Sequence, residues 1–289
     1  MTGPLHTRPV LVGYDGSDAA RAAILFAAGE ALERGRPLHI VHVLEPVPNH
    51  PTTPDLGPDG HPRVLNEAVG IARSVLSPER IGAEIVLGVP ADVLLNMSLG
   101  ADLLAVGRGQ AGVLGVLLGS VAMACVTHAH CPVAVVAGTA PAGPQDGGAV
   151  LVGVDGADGS EQALALAFGE AERRGATLVA LHAWHLPYQG AAGFSPVVFD
   201  MHALEEAETW VLRAALAPFQ EKFPAVAVTE RVVAGGAAHA LIEASQDARL
   251  LVVGSRGRGP VRGTLLGSVG QSAVRHARCP VVVARVTEG

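Results

Sequence analysis

Two glycine-rich stretches are the parts of this chain best suited to chemistry. One is Gly254-Ser255-Arg256-Gly257, followed after nine residues by Gly267-Ser268. The other runs from Gly107 through Gly109 to Gly119-Ser120 and is one residue shorter. Each lies between an apolar run and a helical pattern, and a glycine turn between a strand and a helix gathers backbone N–H groups around a phosphate. The sequence therefore predicts two unequal phosphate sites.

The two glycine loops differ in their number of positively charged residues. The later loop carries Arg256, Arg258 and Arg262, which are able to reach the outer phosphates of a nucleotide. The earlier loop keeps only Arg108, because glutamine and leucine stand at the other two places. We therefore expect a competent site in the second half of the chain and a weaker or empty one in the first half.

An aspartate follows the first apolar run of each half. Asp15 follows the segment Val-Leu-Val-Gly-Tyr, and Asp155 follows the segment Val-Leu-Val-Gly-Val. The two segments match at a constant offset of 140 residues. These carboxylates are predicted to face the nucleoside while the glycine loops hold the phosphates. Two plainer interpretations stay open: the aspartates cap the helices that follow them, and the glycine loops are structural turns.

The offset marks a tandem repeat that covers most of the chain. Later matches, such as His128-Ala-His-Cys131-Pro-Val with His276-Ala-Arg-Cys279-Pro-Val, keep the same order. Duplication is the simplest explanation of so many ordered matches. The sequence predicts one domain over residues 1–137, a linker rich in glycine and proline over 138–148, and a second domain over 149–289.

Within each half, short β-branched runs alternate with helical patterns. This alternation, with strands that are continuously apolar, predicts an α/β fold of two doubly wound, flavodoxin-like (Rossmann-like) domains. Each would hold a five-stranded parallel sheet of order 3-2-1-4-5, whose switch point lies between strands one and four. The predicted elements of the first half are strands at 10–14, 38–44, 83–87, 103–106 and 133–136, and helices at 18–34, 64–76, 91–99 and 120–128. Ser17 or Asp18 is expected to cap the first helix.

Composition narrows the class of protein. The 289 residues are 49% hydrophobic and carry a net charge of −7, which suits a packed core and argues against a nonspecific grip on nucleic acid. The first residues lack the apolar core of a signal peptide and no apolar run is long enough to span a bilayer, so we expect a cytoplasmic protein without membrane contact.

Histidines and cysteines are expected to have structural roles. His42 and His182 occupy matched strand positions and are read as packed or backbone-bonded side chains. Metal binding by His128, His130 and Cys131 is not expected, because the second copy has an arginine where His130 stands. Cys131 and Cys279, which occupy equivalent places in the two repeats, are predicted to be small buried residues rather than half of a disulfide, and no metal site is expected.

These motifs together resemble the universal stress protein family in its tandem-domain, ATP-binding form. The resemblance rests on Val-Gly-Tyr-Asp-Gly-Ser near the start, Leu-His-Ile-Val-His-Val at the second strand, the spaced glycine motif and the closing Cys-Pro-Val. It implies nucleotide contacts in the second half from Gly153, Asp155, Ala183, Val253, Gly254, Arg256, Gly257, Arg258, Gly267, Ser268 and Val269. In the first half it implies contacts from Gly13, Asp15, Val43, Val106, Gly107, Arg108, Gly109, Gly119 and Ser120.

The resemblance further implies an ATP-binding regulator of the stress response, with or without Mg²⁺, acting on a protein partner of unknown identity. A dedicated catalyst is not expected, because no GxxxxGK[ST] loop and no obvious catalytic base accompany the glycine motif. Two alternatives remain: an ATP-consuming transferase or hydrolase on the same fold, and an interaction module that binds no nucleotide. Pairing through the last strands, 133–136 and 281–283, is implied either within the chain or in a homodimer.

Overall fold

The computed structural model describes residues 7–46, 54–57, 60, 62–109, 111–112, 115–116, 118–138, 148–156, 160–185, 200–255 and 266–285. The strands of the first domain are β1 (Val10–Gly13), β2 (Leu38–Leu44), β3 (Ile81–Leu87), β4 (Leu103–Gly107), β5 (Ala111–Gly112), β6 (Gly115–Val116) and β7 (Val133–Val136). Its helices are α1 (Asp18–Glu33), α2 (Arg63–Ala72), α3 (Pro90–Ser98) and α4 (Ser120–His128), with a 3₁₀ turn at Pro78–Arg80.

The second domain repeats this order. Its strands are β8 (Ala149–Val154), β9 (Leu178–Trp184), β10 (Val228–Ala234), β11 (Ala248–Gly254) and β12 (Val281–Ala284). Its helices are α5 (Ser160–Arg174), α6 (Met201–Lys222), α7 (Ala237–Ala244) and α8 (Ser268–His276). Most of the predicted linker, residues 139–147, lies outside the described residues.

The predicted elements of the first domain are all present, with shifted ends. The helix expected over 64–76 ends at Ala72, although Leu76 is still buried. The helix was predicted too long because the apolar pattern of the sequence continues to Leu76, which packs into the core from a turn after the helix. The third strand begins two residues earlier than expected, at Ile81, and the short β5–β6 ladder was not predicted.

Parallel pairing gives the two domains the same topology. The strand orders are β3-β2-β1-β4-β7 and β10-β9-β8-β11-β12, so both follow the predicted order 3-2-1-4-5. The prediction of two doubly wound α/β domains is therefore confirmed. Helices α1, α2, α5 and α6 cover one face of the sheet, while α3, α4, α7 and α8 cover the other. None of the helices in the described part of the chain is both long and apolar enough to cross a bilayer.

The last strands of the two domains pair with each other. Strand β12 runs antiparallel to β7, with Val281 opposite Val135 and Val283 opposite Val133, and the two sheets become one of ten strands. Each of these strands has a neighbour on both sides, β11 and β4 being the other two. The hydrogen-bonding edges that an unpaired last strand would expose are thus satisfied inside the chain. No free edge remains on them for the homodimer that the sequence allowed as an alternative.

A buried ion-pair cluster joins α1 to α5. Glu30 of α1 and Arg34, the C-cap residue of that helix, contact Glu170 and Arg174 of α5, which stand at the same places in the repeat. The side chain of Glu170 is fully buried, and the other three are 3–8% exposed. At the rim, Asp102 contacts the Arg34 guanidinium at 2.7 Å. We call the four inner residues the interdomain quartet, and their opposite charges compensate each other away from water.

The quartet displaces the pKa values of its two carboxyls in opposite directions. Burial acts to raise the pKa of Glu170, but Arg34, Arg174 and Arg173 outweigh it and hold that pKa below the usual value. Burial, and then the charge of Glu170, raise the pKa of Glu30 against the two arginines. Glu170 is therefore the carboxylate that the cluster holds ionised most strongly.

Candidate nucleotide site

The switch point of each domain gathers the residues that the sequence singled out. Strands β1 and β4 lie side by side, with Val12 opposite Ala105, and β8 and β11 pair likewise, with Val152 opposite Val252. The carboxyl ends of these neighbours carry the aspartate turn and the glycine loop. In an open parallel sheet, ligands bind outside the carboxyl ends at this point.

Each aspartate is followed by a glycine that bends the chain. Gly16 and Gly156 have φ values of +82° and +69°, a conformation that side chains rarely adopt. Asp15 is exposed, and its carboxylate accepts the N–H of Ser17 at 3.0 Å. The Ser17 hydroxyl in turn accepts the N–H of Ala20, so it is Ser17 that caps α1, as one of the two predicted choices.

Helices α4 and α8 begin at the glycines that the motif predicts. Gly119 and Gly267 are their N-cap residues, and neither helix has a side-chain cap. Ser17 and Asp200 cap α1 and α6 with side-chain oxygens, while α2, α3 and α7 also lack a side-chain cap; what distinguishes α4 and α8 is their place at the switch point, after β4 and β11. The first-turn N–H groups of α4 and α8 thus receive no side-chain acceptor from the cap position, and they favour an anion there.

The loops that lead into these helices are closed by matching hydrogen bonds. Gly119 donates its N–H to the carbonyl of Arg108 at 3.1 Å, and Gly267 donates to the carbonyl of Ser255 at 3.2 Å. In the first loop Gly109 has a φ of +88°. The donor set at both helix starts consists of backbone N–H groups and a serine hydroxyl, which fits a phosphate group.

The remaining predicted residues lie near the same edge, in different settings. A side chain on Gly13 or Gly153 would meet Leu94 of α3 or Leu241 of α7 at 2.9 Å, so these glycines let a helix approach the strand. Val106 and Val253 are buried. Five other predicted residues are half-buried: Val43, Ala183, Gly107, Gly254 and Val269. Ser120 and Ser268 are the first residues of α4 and α8. Arg256, Gly257 and Arg258 lie outside the described residues.

Arg108 makes a contact with the other domain that the sequence did not predict. Its guanidinium donates to the carbonyl of Ala277, the C-cap residue of α8 in the other domain, at 3.0 Å. Arg285, just after β12, returns a similar contact to the Val126 carbonyl of α4. Carbonyls at a helix C-terminus attract positive charge, so both arginines act as links between the domains.

Replacing Arg108 with glutamine is therefore expected to lower the free energy of unfolding by about 1–2 kcal/mol, because a charge-assisted hydrogen bond across the domains is lost. Urea unfolding measures this loss, and ATP titration of the same variant is expected to match the wild type. A variant that keeps its stability but binds less ATP would return Arg108 to the phosphate site.

Two functional candidates were missed by sequence reasoning, Ser160 and Glu208. The Ser160 hydroxyl contacts the backbone and the carboxylate of Asp155, and Glu208 of α6 contacts His182 at 2.9 Å. Aligning the two halves at the offset of 140 residues could have pointed to Ser160, because the matched residue of the first half, Ala20, has no hydroxyl group. Glu208 gave no such signal, because it follows a segment in which the two halves do not align.

The structural roles predicted for His42, His182, Cys131 and Cys279 are confirmed. The Nδ1 atoms of His42 and His182 lie 2.8 Å from the carbonyls of Tyr14 and Val154, so both rings bond to the backbone. The three cysteines are buried and free, and burial raises the pKa of each thiol to about 12, which leaves them protonated. Across the part of the chain that the structure describes, no group of metal-binding side chains clusters.

Comparison with known proteins agrees with this architecture. The model of the universal stress protein family matches residues 6–137 and again residues 148–285. A universal stress protein of Mycobacterium tuberculosis strain H37Rv is 39% identical over 289 residues, and the match covers 96% of both chains. A second one from the same strain is 36% identical over 297 residues, covering 99% of both.

Among solved structures, a universal stress protein from Archaeoglobus fulgidus superposes with a TM-score of 0.66 at 21% identity, covering 97% of this chain and 99% of that one. This likeness concerns the fold alone. The two family matches and the full-length relatives, together with the duplicated topology, lead to one conclusion: the chain belongs to the universal stress protein family and carries two of its domains in tandem.

Proposed function

We propose that this chain binds ATP at the carboxyl ends of its strands, chiefly in the second domain, and acts in the cytoplasm as a nucleotide-dependent regulator rather than as a dedicated catalyst. One observation carries the proposal. In each domain an aspartate turn and a helix N-terminus without a side-chain cap lie at the same switch point. A polyphosphate and a ribose hydroxyl are the kinds of groups that such a pair of features accepts.

The hydrogen-bonding groups at the second site suggest which part of the nucleotide each would bind. N–H groups at the start of α8, with the Ser268 hydroxyl, would hold phosphate oxygens, and Asp155 would accept hydrogen bonds from the sugar. Ala183, which is half-buried near the end of β9, offers aliphatic surface at the same edge. Only 3% of the chain is aromatic, so we expect the adenine to be bound by backbone groups and aliphatic packing rather than by stacking.

Preference for the second domain has two supports. The first loop is one residue shorter and carries less positive charge. In addition, Asp15 is exposed and bonded only to the N–H of Ser17 in the described contacts, whereas Asp155 is half-buried and bonded to a serine side chain. A fixed acceptor costs less entropy to order on binding than a mobile one does.

The matched variants Asp155→Asn and Asp15→Asn test the proposal. Asp155→Asn is expected to weaken ATP binding about 10- to 100-fold, because hydrogen bonds to a carboxylate are lost, while Asp15→Asn changes it little. Isothermal titration gives the affinity and the number of sites. Equal losses in both variants would contradict the preference for the second domain.

Mass spectrometry of small molecules released from freshly purified protein tests the broader claim. ATP bound without turnover is the expected result. Rapid conversion of ATP in the presence of an acceptor would identify a transferase instead, and absence of any bound or titratable nucleotide would identify an interaction module.

A further inference from the structure

Asp155 is held by the first residue of the helix that follows it. Its backbone N–H donates to the Ser160 hydroxyl oxygen at 3.1 Å, and that hydroxyl donates to the Asp155 carboxylate. Ser160 begins α5 and is buried, so water does not compete freely for either bond. The two bonds fix both the backbone and the side chain of the aspartate.

A second support reaches the same turn from the neighbouring strand. His182 of β9 is buried, and its Nδ1 lies 2.8 Å from the carbonyl of Val154, the residue just before Asp155. Its Nε2 lies 2.9 Å from the carboxylate of Glu208 on α6. The strand end that carries Asp155 is therefore connected through one imidazole ring to α6.

The His182 ring thus joins two oxygen groups, the carbonyl of Val154 at Nδ1 and the carboxylate of Glu208 at Nε2. A hydrogen bond to a carboxylate is stronger than one between neutral groups, so the contact with Glu208 holds the ring firmly in place.

The first domain lacks two of these three supports. Ala20 occupies the place of Ser160, so no hydroxyl is present there. His42 keeps the bond to the carbonyl of Tyr14, but within the described residues its ring contacts no carboxylate. On α2, the helix that covers the same face of the sheet in the first domain, Glu67 contacts Arg21 of α1.

We propose that Ser160, His182 and Glu208 are positioning residues for the nucleoside side of the second site. This inference rests on the proposed function and deepens it: the three side chains do not touch the nucleotide but hold Asp155 in the orientation that accepts the sugar hydroxyls. Preorganised acceptors gain affinity because less freedom is lost on binding. The difference between the two domains thus includes the aspartate turn as well as the glycine loop.

Ser160→Ala is the first test. It is expected to weaken ATP binding about 3- to 10-fold, to speed hydrogen exchange of the Asp155 amide, and to change the urea midpoint little. Ser160→Thr, which keeps the hydroxyl, is expected to restore both the affinity and the exchange rate. A loss of stability with unchanged ATP affinity is the result that a purely structural serine would give, and it would overturn the role of Ser160.

Glu208→Gln tests the histidine arm with a partly exposed residue, so that folding is retained. NMR of ¹⁵N-labelled histidine is expected to show a changed Nε2 resonance of His182 in the variant, because that nitrogen loses its carboxylate partner, together with a similar 3- to 10-fold loss of ATP affinity. His42→Gln in the first domain is the matched control and is expected to leave the ATP affinity of the second site unchanged.

The reverse change, Ala20→Ser, is expected to slow hydrogen exchange of the Asp15 amide, because it supplies the missing hydroxyl. Two failures remain distinct. If the wild type binds no ATP, the proposed function fails. If it binds ATP and both Ser160→Ala and Glu208→Gln bind it equally well, the positioning inference alone is overturned.

Discussion

Glu170→Gln is expected to lower the free energy of unfolding by about 3–5 kcal/mol at neutral pH, the largest effect of any single substitution considered for stability. Glu170 is fully buried and contacts Arg34, Arg173 and Arg174. Removing its charge leaves the buried guanidinium groups only partly compensated, and their desolvation is no longer offset. Urea unfolding followed by circular dichroism measures the loss.

Glu172→Gln is the matched control, since it makes the same change on an exposed face of α5. It is expected to alter the free energy of unfolding by no more than about 0.5 kcal/mol. If Glu170→Gln costs less than about 1 kcal/mol, the quartet does not hold the domains together in the way its geometry indicates.

The pH dependence of stability follows from the directions of the two pKa shifts. The lowered pKa of Glu170 means that its contribution is present above the unfolded value of about 4.3 and is lost as pH falls through the lower folded value. The raised pKa of Glu30 has the opposite sign, so its contribution is lost as pH rises through the folded value. Glu30→Gln is therefore expected to cost less than Glu170→Gln at pH 7. Unfolding titrations of both variants from neutral to acid pH check the order, and a reversed order would refute these directions.

Gly107→Ala is expected to lower the free energy of unfolding by about 1–3 kcal/mol, because there is no room for a methyl group. A Cβ there would lie 2.7 Å from the carbonyl carbon of Ala19 and 2.9 Å from the N–H nitrogen of Ala20, both in the backbone of α1. A backbone cannot turn aside as the end of a side chain can, so the helix must move away from β4. Thermal unfolding of the purified variant measures the cost.

Two other glycines of the predicted site serve as controls. At Gly119 the nearest atom to an added Cβ is 3.9 Å away, so Gly119→Ala is expected to change stability by no more than about 0.5 kcal/mol. At Gly13 the obstacle is the Leu94 side chain at 2.9 Å, which is able to rotate, and an intermediate cost is expected. A Gly119→Ala chain as unstable as Gly107→Ala would contradict the steric explanation.

The strand order and the place of the site were predictable because they depend on local signals. Buried parallel strands are apolar along their whole length, and β2 and β7 were predicted with the bounds that the structure gives. Asp15 lies just after β1 and the loop that leads to Gly119 leaves β4 at Gly107, so the order 3-2-1-4-5 was enough to bring both to one edge. The glycines that begin α4 and α8 were also predicted from the motif.

Contacts between distant segments were not predictable in the same way. Glu30 and Glu170 look like ordinary charges on the polar side of a helix, and the sequence does not say that α1 and α5 meet face to face. Arg108 is predicted to contact the nucleotide because its neighbours are glycines, and nothing in the sequence indicated that its side chain also reaches Ala277 of the other domain. Glu208 contacts His182 from a helix 26 residues later in the chain, where the repeat gives no alignment.

The antiparallel pairing of β7 with β12 also determines the directions in which the two crevices open. Strands run parallel within each domain and antiparallel between the domains. The carboxyl ends of the strands in one domain therefore point in the opposite direction to those in the other. The two crevices therefore open back to back. One small molecule therefore cannot bridge the two crevices, and a ligand of one domain approaches from the side opposite to a ligand of the other.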